Sequence, residues 1–225
     1  HKDSYFLPQP RKKLYFCGMK KQESNSLWYF IVYKPYGVIC QFSASDNNQP
    51  TLGSLYLFPK DVYPVGRLDT DSEGLLIITN DKRLNHRLLN PQYAHKRTYW
   101  VQVEGMVSPE AIEKLSTGVQ ITINGNRYNT LPAFAQILPQ TPNLPDREPP
   151  IRYRANIPTS WISLTLTEGK NRQVRKMTAA VGCPTLRLVR QSIEELTLVD
   201  MQPGDVKQLS GERVYKLLFA NTAQK

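Results

Sequence analysis

The chain has 225 residues, enough for one domain or one domain of two lobes and too many for a disulfide-stapled mini-protein. Hydrophobic residues make up 40% and charged residues 21%, a globular balance that excludes a disordered chain. Lys and Arg number 29 against 19 Asp and Glu, a net charge of +10 that favours a polyanionic partner, nucleic acid before an acidic membrane.

Residues 1–26 carry six Lys or Arg against Asp3 and Glu23 and lack the apolar stretch of a signal peptide. They read as a basic, mobile arm ahead of a folded unit over 27–225, and the start at His1 reads as processing or trimming. Trp28–Tyr33 is apolar but far shorter than the roughly twenty residues a bilayer-spanning helix needs. In chain order, β-branched and aromatic runs predict strands at Trp28–Lys34, Val38–Phe42 and Leu75–Thr79. Asp81 then caps a helix through Leu89 that stops at Pro91. After a strand at Arg97–Glu104, Ser108-Pro109 opens a helix to about Leu115 that Gly118 ends. Strands follow at Val119–Ile123 and Ala133–Leu138. Residues 139–154 hold five prolines and read as a loop, an insertion folding over one face. Further strands are expected at Ile151–Ile157, Trp161–Thr167 and Leu186–Ile193. Between the last two, Asn171 caps a helix from Arg172 to about Val181, and a final helix covers Glu212–Phe219. Strands without regular helix alternation predict an α+β fold with a mixed, mainly antiparallel sheet and flanking helices.

The charge is local. Residues 82–97 contain Lys82, Arg83, Arg87, Lys96 and Arg97 and no acid, a charge of +5. Residues 167–190 hold Lys170, Arg172, Arg175, Lys176, Arg187 and Arg190 against Glu168, also +5, and the arm adds +4. Such clustering is a nucleic-acid footprint or a set of solvated faces. On the helix from Arg172, the 100° period puts Val174, Met177 and Val181 on one side and Arg172, Arg175 and Lys176 on the other.

Gly66-Arg67-Leu68-Asp69-Thr70-Asp71-Ser72-Glu73-Gly74, followed by an apolar strand, is the most informative stretch. Any one acid in it also reads as a turn residue. Asp69-x-Asp71-x-Glu73-Gly74 imitates the start of a calcium loop, but the twelfth position is Asn80 where a bidentate Glu is required. Glu168-Gly169-Lys170-Asn171 lacks the spacing of a phosphate-binding loop. Cys17, Cys40 and Cys183 have neither zinc-site spacing nor an even count, which fits a reducing, cytoplasmic compartment with Cys40 and Cys183 as small buried residues.

Four motifs together resemble one family. Tyr33-Lys34-Pro35-Tyr36-Gly37-Val38, Gly66-Arg67-Leu68-Asp69, Lys96-Arg97-Thr98-Tyr99-Trp100-Val101 and Glu168 through Met177 look like the RsuA branch of the pseudouridine synthases, over about residues 28–200. That family usually carries an S4 domain ahead of the catalytic one. Only 27 residues precede Trp28, so the chain is expected to resemble the large-subunit ribosomal RNA enzymes without that module.

The resemblance implies the pseudouridine synthase catalytic fold, with a central cleft between two lobes. It implies that a uridine in large-subunit ribosomal RNA loses its N1 glycosidic bond and rejoins the ribose through C5, with no cofactor and no metal. Asp69 falls on the catalytic aspartate, Arg175 on the basic residue that pairs with it and Tyr99 on the tyrosine that packs against the target base. Arg67 falls on the arginine before the aspartate and Leu188 on a pocket-lining apolar residue. A carboxylate with such a role should be ionised and poorly hydrated, with Arg175 supplying the compensating charge. Arg172, Lys176, Lys82, Arg83 and Arg87 are expected to bind RNA phosphates; His86 and His95 read as surface residues or phosphate contacts. The protein is expected to act as a cytoplasmic monomer with no membrane association. Two rival functions use the same residues: a non-catalytic RNA-binding protein, and a metal-dependent nuclease built on Asp69 and Asp71.

Overall fold

In the computed structural model, residues 26–43, 48–151 and 157–220 are described. In chain order they form β1 (Tyr29–Lys34), α1 (Leu52–Leu55), β2 (Tyr63–Pro64), β3 (Glu73–Thr79), α2 (Lys82–Leu89), β4 (Arg97–Glu104), α3 (Pro109–Thr117), β5 (Gln120–Ile123), β6 (Asn126–Asn129), β7 (Phe134–Ile137), β8 (Thr159–Leu166), α4 (Gln173–Ala180), β9 (Thr185–Ile193), β10 (Leu196–Thr197), β11 (Val206–Gln208) and α5 (Gly211–Phe219), with a 3-10 turn at Pro91–Tyr93. The main sheet runs β11-β1-β3-β9-β4-β8-β7, with β10 on β9 and β2 on β3. Every pairing is antiparallel except β3 with β9, so the expected mixed, mainly antiparallel α+β arrangement holds.

All seven residues of β3 and all six of β1 are buried, because both faces of this half of the sheet are covered. On one face Tyr29, Ile31, Leu75 and Ile77 meet Leu84 and Leu88 of α2 and Val214 and Leu218 of α5. On the other, Phe30, Val32, Leu76 and Ile78 are roofed by Val38, Leu52 and Val62. The second half is a separate core, in which Val101, Val103, Ile162 and Leu164 pack against Leu115 of α3 and Val174 and Met177 of α4.

The two halves meet where β3 runs parallel to β9 for only two residue pairs, Glu73 with Val189 and Gly74 with Arg190. Gly74 has φ +113°, and a Cβ there would lie 2.4 Å from the Arg190 carbonyl oxygen, so only glycine fits. Glu73 and Arg187, both buried, close the same junction with two hydrogen bonds of 2.9 and 2.8 Å. Arg187 also donates to the carbonyl of Pro145, tying the proline-rich loop to this seam.

Several expectations change. Val38–Phe42 is not a strand: Ile39 makes a single bridge to Thr51, and the segment turns to lay Val38 over the sheet. The hairpin β5–β6 brings in a strand that was not expected, short and mostly exposed, although Asn124-Gly125, both with positive φ, marks its turn. Helix α4 begins after Arg172, at φ +51°, with no side-chain cap, rather than after an Asn171 cap; the Asn171 side chain accepts from Lys176 Nζ at 3.4 Å, and the Gln173 side chain accepts the Lys170 backbone N–H. The predicted caps Asp81 and Ser108 hold, with Asp81 accepting the backbone N–H groups of Arg83 and Leu84. Most of the basic arm, Cys17 and most of the expected strand Ile151–Ile157 lie outside the described residues. Among the described residues no helix is long and apolar enough to cross a membrane.

Candidate active site

The loop between β2 and β3 carries Gly66 to Ser72 and enters the sheet at the seam between its halves. The motif at residues 33–38 supports this loop from behind. Gly37 N–H donates to the Thr70 carbonyl at 2.8 Å, and the Leu68 N–H meets the Cys40 sulfur at 3.4 Å. Lys34 is fully buried, donating from Nζ to the carbonyls of Val38 (2.7 Å) and Pro35 (2.9 Å). Burial drives its pKa down to about 8, against a smaller upward pull from Cys40, Glu73, Asp71 and Asp69.

A cleft of about 570 Å³ opens in front of the loop. Arg67, Asp69, Tyr99, Leu188 and Arg172 all line it. Its walls also include Leu88 and Leu89 of α2, Leu166 of β8 and the loop Glu168–Arg172. Asp69 is not sequestered as expected: its side chain is 38% exposed, so removal of water from it falls to whatever fills the cleft.

The expected partnership of Asp69 with Arg175 is replaced by a different arrangement. Arg172 reaches Asp69 at 3.5 Å and holds Asp71 with two bonds of 2.9 and 2.8 Å. Arg175 donates to the Asp71 backbone carbonyl at 2.6 Å, and its Nε lies 3.3 Å from the Asp71 carboxylate. Burial pushes the Asp71 carboxyl up, but the Arg172 bonds and the charges of Arg175 and Arg172 outweigh it and hold it below the usual carboxylate range. Arg172, at the cap of α4 with a positive φ of 51°, lays one guanidinium across both acids, while Arg175 approaches from the first turn of the same helix.

Not every predicted cation reaches the cleft. Lys176 turns to Asn171 at 3.4 Å, and Arg87 lies over the Phe219 ring at 4.1 Å. Helix α2 offers leucines to the cleft, with Lys82, Arg83 and Arg87 outside its lining. Arg187 and Arg190, counted by sequence in a surface charge cluster, are 6% and 4% exposed. His95, expected near the surface, is buried against Glu194, its Nδ1 2.9 Å from the carboxylate.

The sequence reading also missed how Glu168 works. It accepts the hydroxyl of Tyr128, the backbone N–H of Leu131 and the amide of Gln173, so one buried carboxylate joins the β5–β6 hairpin to the loop before α4. An acid two residues after the apolar strand β8 was the available signal, since a carboxylate buried there requires several donors.

Comparison with known proteins gives the same family on three grounds. A protein-family model described as RNA pseudouridylate synthase matches residues 28–180. A ribosomal large subunit pseudouridine synthase E from Vibrio parahaemolyticus is 47% identical over 179 residues, covering 80% of this chain and 72% of that protein. One of the same name from Xanthomonas axonopodis pv. citri is 49% identical over 175 residues, covering 77% and 89%. A crystal structure described as a pseudouridylate synthase superposes with a TM-score of 0.68 at 26% identity, covering 86% of this chain and 74% of that one.

Proposed function

The chain belongs to the RNA pseudouridylate synthase family, and we propose that its cleft isomerises a uridine of large-subunit ribosomal RNA to pseudouridine. The observation that carries this reading is the placement of Asp69 and Tyr99 in one cleft of about 570 Å³, large enough for a nucleoside. A uridine inside folded RNA exposes its ribose carbon only when the base is turned out of the stack, and a flat ring is needed to receive it. Tyr99 supplies that ring, and Asp69 faces the same space as nucleophile or base. Leu188 walls the pocket, and Arg67, exposed at its rim, supports the flipped nucleotide.

Arg172 is the cation nearest Asp69 and sets an opposite charge 3.5 Å from its carboxylate. Arg175 is a positioning residue that fixes the loop through Asp71. Lys176, Lys82, Arg83 and Arg87 lie outside the cleft lining and attract the phosphates of RNA entering it; alanine at Lys82, Arg83 and Arg87 together should flatten the dependence of affinity on salt and leave the rate at saturating RNA nearly intact. The reaction needs no metal or cofactor, and the enzyme works as a monomer in the cytoplasm, where ribosomal RNA is processed.

The test is a pseudouridine map of large-subunit ribosomal RNA from cells with and without this protein. One site that disappears with the protein and returns with the wild-type chain, not with Asp69→Asn, supports the reading. An unchanged map contradicts it. In vitro, isomerisation that persists in excess chelator without cleavage of the RNA separates this enzyme from a metal-dependent nuclease.

A further inference from the structure

Arg97 and Tyr99 stand two residues apart on β4 and point to the same face, and Tyr99 is the cross-strand neighbour of Arg190 on β9. The register shifts at this point, leaving Gln191 without a partner on β4, a bulge of the kind that re-aims a neighbouring side chain. All three residues line the cleft. Arg190 donates from Nε to the Leu75 carbonyl at 2.7 Å, while its Nη2 is buried with no partner. Arg97 gives two of its five N–H donors to the carbonyls of His95 (3.1 Å) and Leu88 (2.8 Å) and keeps the others.

Neither guanidinium forms an ion pair with a carboxylate among the described residues. Two cations thus share the floor of one cleft, and burial together with the Arg190 charge lowers the pKa of Arg97 against the upward pulls of Tyr99 and Glu194. Such a floor is costly to keep empty, because a buried charge is stable only when an opposite charge or full hydrogen bonding compensates it.

The reaction proposed above generates a suitable anion. When the N1–C1′ bond breaks, its electron pair stays with the uracil ring and the charge spreads to O2 and O4, leaving C1′ electron-poor beside Asp69. C5 then bonds C1′ and gives its proton to a base or water, and N1 takes a proton from solvent, so the product is a neutral isomer.

We propose that Arg190 and Arg97 form an anion seat that donates hydrogen bonds to the carbonyl oxygens of the uracil ring as the N1–C1′ bond breaks. Leu166, Leu188 and Ile193 line the same cleft, and apolar walls strengthen such bonds by excluding water. A backbone phosphate suits the rim instead, where Arg67 is exposed and Arg172 is 41% exposed. This inference rests on the isomerase reading.

The test compares wild type, Arg190→Gln and Arg190→Lys on RNA carrying uridine or 5-fluorouridine at the target, following loss of the N1–C1′ bond under single-turnover conditions. The Gln variant should lose about 10²- to 10³-fold in rate on uridine, as for removal of one preorganised donor, with Lys retaining more. Fluorine stabilises the ring anion, so the deficit on 5-fluorouridine should shrink. An equal deficit on both RNAs overturns the proposal, as does a loss confined to affinity with a salt slope smaller by roughly 0.7 to 0.9, which marks a phosphate contact.

Wild-type protein gives a second reading should Arg190→Gln not fold. By calorimetry, ring-ionised 5-nitrouracil should bind more tightly than neutral uracil, and equal affinity overturns the seat. A wild type that makes no pseudouridine on its RNA removes the isomerase reading alone, because the calorimetry still reports whether the floor binds an anionic ring.

Discussion

Arg175 holds Asp71, not Asp69: its Nη2 donates to the Asp71 backbone carbonyl at 2.6 Å, and its Nε stands 3.3 Å from the carboxylate, an ion pair without hydrogen-bond alignment. The contact fixes the loop two residues beyond Asp69 and leaves the nearer approach to Asp69 to Arg172. A single loop is thereby clamped by two arginines from the start of one helix.

Replacing Arg175 with Met should lower the rate at saturating RNA much more than it weakens RNA binding, because the loop that presents Asp69 loses its anchor. Arg175→Lys, which can still donate to the carbonyl, should retain more activity. In a double-mutant cycle with Asp71→Asn the two changes should couple by about 0.5–3 kcal/mol in stability, as contacting residues do. Strict additivity, or a loss in affinity alone, would show that Arg175 is only a phosphate contact.

The Asp71 carboxyl gives a pH signature of the same clamp. Its pKa is lower in the folded protein than the ordinary 3.8, so the unfolded chain binds the proton first. The contribution to stability is therefore present above that ordinary value and is lost as pH falls through the lowered one. The stability gap between wild type and Asp71→Asn should close on acidification in that range; a gap independent of pH contradicts the ionised clamp.

Lys34 gives a slope of the same sign at alkaline pH, but from a buried charge that costs stability. Its pKa falls from 10.5 to about 8 on folding, chiefly through burial, so between those values the unfolded chain binds the extra proton and stability rises with pH. Tyr33, raised to about 12 mainly by burial, destabilises only above its ordinary 10.0. From pH 7 to 9.5 the melting temperature of wild type should therefore rise relative to Lys34→Met. Parallel profiles would show that Lys34 keeps its proton in the fold.

Gly74→Ala tests the seam itself. The new methyl group would meet the Arg190 carbonyl at 2.4 Å in a backbone conformation that L residues avoid, so the variant should be destabilised by at least about 3 kcal/mol. Alanine at Gly37, where the added group meets nothing within 4 Å, should cost less despite its own positive φ of 81°. Equal melting temperatures for the two variants would contradict the close approach of β3 and β9.

Much of this was legible in the sequence, for local reasons. β4 has the bounds the alternation predicts, and α2 runs from its Asp81 cap to the residue before Asn90-Pro91, because capping and proline sterics act within a few residues. The cleft residues Arg67, Asp69, Tyr99 and Leu188 were found through motif resemblance and do converge. What stayed hidden depends on register between distant strands. Nothing local says that Arg190 and Arg187 in β9 point inward, or that Arg172 rather than Arg175 comes nearest to Asp69. Those outcomes follow from a two-residue parallel pairing, a bulge at Gln191 and a positive φ at Arg172.

The most direct measurement is single-turnover pseudouridine formation by Asp69→Asn on large-subunit ribosomal RNA, with affinity measured alongside. The substitution keeps size and removes the anion, so no pseudouridine should form above background while the RNA dissociation constant stays within a few-fold of wild type. Measurable isomerisation by the Asn variant would contradict the assignment of Asp69 and, with it, the chemistry proposed for the cleft.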